Sequence, residues 1–179
     1  MKSQIMKTHL TILVLIHLLI TSCEKDNGNF NFDIGEGFEI YMTVTPFSHN
    51  LDMNYGAVDF DTILLLDVPV LRYNDLRRYD TLHHKLTLGI SHDSLKIGNA
   101  GVYGQMFVVT IDKKPIYCGF KWPVISSVPC NWVYIEEPYY DLDSLNDKEI
   151  VIGFNSQQYA DPRLDNRIIN RLIEDGKIE

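Results

Sequence analysis

The sequence predicts an α+β domain: a single mixed or antiparallel sheet of about six strands, with a C-terminal amphipathic helix packed on one face. Two observations carry this expectation. The middle of the chain is a series of short β-rich segments bounded by turn residues, and its end carries apolar residues at helical spacing. A third bounds the size. Of 179 residues, 45% are hydrophobic and 22% are charged, which suits one domain with its own core.

The strands are read in order. Phe38-Glu39-Ile40-Tyr41-Met42-Thr43-Val44 alternates and is rich in β-formers. Residues 62–68 form a short apolar run closed by Pro69. Residues 81–90 place Leu82, Leu86 and Leu88 around His83, His84 and Lys85. Residues 105–112 and 115–120 read as two strands around a tight Asp112-Lys113-Lys114-Pro115 turn, with residue types that favour turning. Residues 132–136 and 149–154 supply two more. Strands at this spacing would also suit a β-sandwich, and the C-terminus decides against it. Asp161 predicts a helix cap and Pro162 suits the first helical position. Leu164, Ile168, Ile169, Leu172 and Ile173 then make one apolar stripe before Gly176, and a one-sided helix needs a sheet to cover it. Residues 91–97 read as a shorter helix or a turn.

The N-terminus has a different character. Lys2 and Lys7 precede an apolar run over residues 10–20, followed by Thr21-Ser22 and then Cys23. Charged, apolar and small-residue parts in that order are the pattern of a secretory signal, here residues 1–22. The run is 11 residues long, whereas a spanning helix needs about 20. Leu19-Ile20-Thr21-Ser22-Cys23 resembles the lipobox of bacterial lipoproteins. The resemblance implies cleavage before Cys23, lipidation of Cys23, and attachment to the cell envelope, at the outer membrane, on its periplasmic or its outer side. Residues 23–36 (CEKDNGNFNFDIGE) then read as a flexible tether reaching roughly 20 Å, and residues 37–179 as the domain. Glu24-Lys25-Asp26 is similar to the acidic surface-export signals of Bacteroidota lipoproteins; an ordinary solvated linker is the other reading.

Charge excludes some partners. The net charge is −8 and becomes −10 once Lys2 and Lys7 leave with the signal. Nucleic acid and anionic lipid need a basic face, so neither is an expected partner. Outside the cytoplasm, Cys118 and Cys130 are a candidate disulfide. The bridge forms if their two extended segments pair as a hairpin with the cysteines opposite. The alternative is two separate buried thiols behaving as small apolar residues.

Candidate chemistry is sparse. The mature histidines His49, His83, His84 and His92 lack metal-ligand spacing, so no metal, cofactor or catalytic residue is assigned. Asp141 to Glu149 fails the calcium-loop template, with Leu145 where an oxygen ligand belongs. Aromatics are more promising: Tyr117, Phe120, Trp122, Trp132, Tyr134, Tyr139 and Tyr140 crowd together. Trp122, Tyr139 and Tyr140 are the candidate binding surface, with Tyr117 pointing outward beside them, because aromatic platforms anchor sugars and protein partners. Cross-strand core packing is the competing reading of the same residues.

Asp61-Thr62-Ile63, Asp80-Thr81-Leu82, Asp93-Ser94-Leu95 and Asp143-Ser144-Leu145 each resemble the Bacteroidota O-glycosylation acceptor. The resemblance implies modification at Ser94, Ser144, Thr62 or Thr81, with the two serines favoured because they lie in expected turns. Residues 107–117 (FVVTIDKKPIY) and the later strand-then-helix close are similar to the periplasmic head of SecD, the export-motor subunit. That resemblance implies a ferredoxin-like head, with Lys113 standing where the family's turn glycine would be. Taken together, the expected function is a lipid-anchored envelope lipoprotein acting as a non-enzymatic binding or accessory module for a protein or glycan partner. The alternative is an envelope hydrolase with catalytic residues dispersed along the sequence.

Overall fold

Asp112 and Lys113 both adopt positive φ, 48° and 65°, the signature of a two-residue hairpin turn that matches the twist of its strands. That turn joins β4 (Gln105–Ile111) to β5 (Lys114–Pro123), the hairpin expected from sequence. The computed structural model describes residues 33–95, 101–123, 126–137 and 147–179, all within one unit spanning Asn31–Glu179. Around the hairpin stand β1 (Phe38–Met42), β2 (Leu76–Asp80), β3 (Lys85–Leu88), β6 (Val133–Glu137) and β7 (Glu149–Phe154). They form a seven-stranded sheet in the order β1-β4-β5-β6-β7-β3-β2. One α-helix, α1 (Asn166–Glu174), follows. The fold is α+β, with seven strands among the described residues where about six were expected.

Side-by-side register explains the core. Ile40, Val109 and Tyr117 lie in one row across β1, β4 and β5, while Tyr41, Val108 and Cys118 form the next. All of β1 and nearly all of β4 and β5 are buried, so this part of the sheet is covered on both faces. Ile168 and Leu172 of α1 join the core. His49 and Tyr55 pack edge-on against Phe120, and His49 also meets Trp122, with ring centroids 4.9–5.1 Å apart. Burial lowers the His49 pKa, while Asn131, 2.7 Å from its Nε2, pulls the other way.

Four expectations are corrected. Residues 62–68 make no strand: they run irregularly along β1, with Val44 N–H donating to Leu64 O and Leu66 N–H to Met42 O. Leu64, Leu66 and Val68 are exposed, so the apolar run marks a sheet flank, not a core strand. Residues 81–84 are a turn between β2 and β3, with His84 at φ 52°, where one continuous strand was expected. The helix begins later than expected. Asp161 instead caps a 3-10 turn, Pro162–Leu164, and Asp165 caps α1; this leaves Leu164 and Ile173 exposed. Finally, residues 33–36 belong to a turn rather than to the tether: Gly35 N–H donates to Glu39, 2.8 Å away. Among the described residues, no helix is long and apolar enough to cross a membrane.

The cysteine hairpin is also corrected. β5 and β6 pair in parallel, Phe120 with Tyr134 through Pro123 with Glu137, so Cys118 and Cys130 are not opposed in a ladder. Both are free and buried. Burial pushes the Cys118 thiol up to about 12 and the Cys130 thiol up to about 11. Only the thiolate reacts, and at pH 8 about one Cys130 in a thousand is ionised. In a Cys23→Ala chain, a disulfide-exchange dye is expected to count no thiol within minutes under native conditions and two after denaturation. A count of zero after denaturation would mean a bridge.

Candidate functional site

The parallel start of β6 leaves a gap. β6 pairs only with the last four residues of β5, Phe120–Pro123, so the preceding stretch of β5 has a regular strand neighbour, β4, on one side only. Trp132 closes the top of that bare edge, its indole N–H donating to Cys118 O at 2.8 Å. Below it, a cleft of about 610 Å³ opens between β5, the Pro162–Leu164 turn and the start of α1. That volume is in the range of small-ligand sites.

Aromatics wall the cleft: Tyr55, Phe60, Trp132 and Tyr159 line it. Trp132 and Tyr159 meet edge-to-face with centroids 5.7 Å apart, and Trp132 meets Phe154 in the same way at 5.5 Å. Ile116 and Tyr117 form part of the lining from β5. Tyr117 is buried, only 3% exposed, and its hydroxyl meets no hydrogen-bond partner among the described residues. Burial pushes its pKa well above the usual phenol range, so it stays protonated as a donor.

The rim is polar and self-compensated. Asn54, Asp161, Asp165, Asn166 and Arg167 line it. Asp161 accepts from the Arg163 backbone N–H at 3.0 Å and from its guanidinium at 2.6–3.1 Å. Asp165 repeats the device on Arg167, at 2.9 Å to the backbone and 2.7–2.8 Å to the guanidinium. Burial pushes the Asp161 carboxyl up, but Arg163 outweighs it and the net shift is downward. The Arg167 hydrogen bond lowers Asp165. Both carboxylates are therefore ionised at neutral pH. Behind Asp161, His84 Nδ1 and Tyr79 Oη stand 2.9 Å apart, and His84 Nε2 lies 3.9 Å from Asp161.

No protein-family model, curated protein or solved structure matches the chain.

The expected site residues scatter. Trp122 is not a binding surface: it is 6% exposed and packed against His49. Tyr117 does not point outward as alternation suggested, because both faces of β5 are covered. Cys23, Tyr139, Tyr140 and Ser144 lie outside the described residues. Of the acceptor triplets, Ser94 and Thr62 are exposed and Thr81 is half-buried. Thr62 lies in a 3-10 turn rather than a strand, its hydroxyl donating to Asp59 O at 2.8 Å. Sequence reasoning missed Asn54, Phe60, Tyr159 and the whole rim. One signal was there: Asp161-Pro162-Arg163 and Asp165-Asn166-Arg167 repeat Asp-x-Arg four residues apart, a spacing that lets each aspartate cap and pair locally.

Proposed function

We propose that the chain is a lipid-anchored lipoprotein of the bacterial envelope, held through Cys23 at the outer membrane, and that its domain is a non-enzymatic binding module whose ligand enters the aromatic cleft. One observation favours the binding reading over a carboxyl-pair glycosidase. A glycosidase needs one carboxyl of its pair kept protonated to donate to the leaving group. Here the Arg163 and Arg167 guanidinium groups hydrogen-bond both oxygens of each cleft carboxylate at 2.6–3.1 Å, which holds both carboxyls below the ordinary range. The pair suits accepting hydrogen bonds rather than proton donation. The anchor rests on the lipobox resemblance. The ferredoxin-like likeness enters only as architecture, supported by the β4–β5 hairpin and the closing order β7 then α1, and no export activity is proposed from it.

The test has two arms. A clickable palmitate analogue is expected to label the chain in a bacterial host. Cys23→Ala is expected to lose the label and to move the protein from the membrane pellet to the soluble fraction; an unlabelled, soluble wild-type chain sinks the anchor. For the domain, a photocrosslinker at Asn166, exposed on the cleft rim, is expected to capture envelope material that the same crosslinker at Glu174, at the far end of α1, does not. Equal capture at both sites defeats the binding reading.

A further inference from the structure

We propose that the cleft takes a pyranose ring of an uncharged glycan, with the Tyr117 hydroxyl bonding the buried end of the sugar and Asn54, Asp165 and Asn166 at the rim taking its outer hydroxyls. This rests on the binding-module reading of the same cleft and narrows it to one ligand class.

Tyr117 points to a ligand. Its hydroxyl has no protein partner among the described residues and belongs to a residue 3% exposed that lines a cavity, so the cleft is where this donor finds a partner. A sugar hydroxyl entering the cleft takes the place of solvent on that donor. The walls suit the rest of such a ligand. A pyranose has apolar C–H faces that lie against aromatic rings, and Phe60 and Tyr159 are the half-buried rings that line the cleft. Its edge carries hydroxyls that donate to carboxylates and amides, and Asp165, Asn54 and Asn166 supply these at the rim.

Charge selects among glycans. Each rim aspartate is already matched by its own arginine, so the site offers acceptors without strong net charge. Around it the chain carries −8, which disfavours uronic acids and sulfated sugars. A peptide would also find aromatic walls here. It has no polyhydroxyl edge to meet the amides and carboxylates of the rim, so it is the less fitting occupant.

The experiment uses the full chain, purified in a detergent without a sugar headgroup. Soluble hexamers of neutral hexose, pentose and N-acetylhexosamine are titrated against tryptophan fluorescence and by calorimetry, with oligogalacturonate and a proline-rich peptide alongside. At least one neutral hexamer is expected to bind. Tyr117→Phe, which keeps the ring, is expected to weaken it about tenfold, the worth of one buried hydrogen bond, without changing the melting temperature by more than about 2 °C. Tyr159→Ala is expected to weaken it further. Tighter binding of oligogalacturonate overturns the uncharged class. Binding of the peptide with no saccharide bound overturns the glycan while leaving the module standing. Unchanged affinity in Tyr117→Phe overturns the placement of the sugar. No binding by any probe, with crosslinking still confined to the rim, likewise overturns the glycan and not the module.

Discussion

Trp132→Ala is expected to destabilise the domain by about 3–5 kcal/mol, the usual range for removing a buried tryptophan. The indole is 2% exposed and holds three aromatic neighbours in place: Tyr55 at 6.2 Å, Phe154 at 5.5 Å and Tyr159 at 5.7 Å. Its N–H also stands in for strand pairing at Cys118 O, and losing it leaves a carbonyl on the bare edge of β5 without that donor. Trp132→Phe separates the two contributions. It keeps most of the packing and loses the hydrogen bond, for a cost of about 1–2 kcal/mol. Urea unfolding followed by circular dichroism gives both values. A Trp132→Ala loss under about 1 kcal/mol would mean that this side chain does not hold the cleft together.

Gly37→Ala is expected to cost about 2–5 kcal/mol, from two sources that a control tells apart. Gly37 sits at φ +70°, where a side chain adds about 1–2 kcal/mol of backbone strain. An added Cβ would also stand 2.0 Å from the Tyr73 ring, and overpacking a closed site adds about 1–3 kcal/mol. The ring cannot swing aside easily. Its hydroxyl donates to Asp175 at 2.7 Å, the Lys177 ammonium stands 4.3 Å over its face, and the Arg171 guanidinium stands 5.8 Å away. Gly176 has nearly the same φ, +64°, with nothing near an added Cβ, so Gly176→Ala carries the conformational part alone. Equal losses at the two glycines would show that Tyr73 yields.

Much of the fold was legible because it is local. The β4–β5 hairpin follows from two β-rich runs and a turn whose residues tolerate positive φ, even with Lys113 in place of glycine. β7 matches its expected span, because turn residues precede it and the alternation is clear. The helix was legible but not its start, since proline after aspartate suits a 3-10 turn as well as an α-helix. The parallel pairing of β5 with β6 left no mark: two strands joined by a short loop read as a hairpin, and nothing in either strand encodes direction. The cleft was illegible for a related reason. Its residues come from four stretches, 54–60, 116–117, 132 and 159–167, brought together by the missing end of one strand. Periodicity can say that Tyr117 faces away from Cys118. It cannot say that the far side is a cavity.

The order of strands has a consequence for how the chain reaches this fold. Phe38 is registered with Ile111, and Met42 with Phe107, so one edge of β1 has no partner until β4 has been made, while the other bonds residues 64–71. A chain delivered N-terminus first therefore carries Phe38-Glu39-Ile40-Tyr41-Met42 with one edge open while the β2–β3 and β4–β5 hairpins form from their own neighbours. Such distant pairing is slow, and an apolar strand left waiting is prone to pair with another copy of itself. Folding order thus makes β1, the best-buried strand of the finished sheet, the most vulnerable segment of the unfinished one.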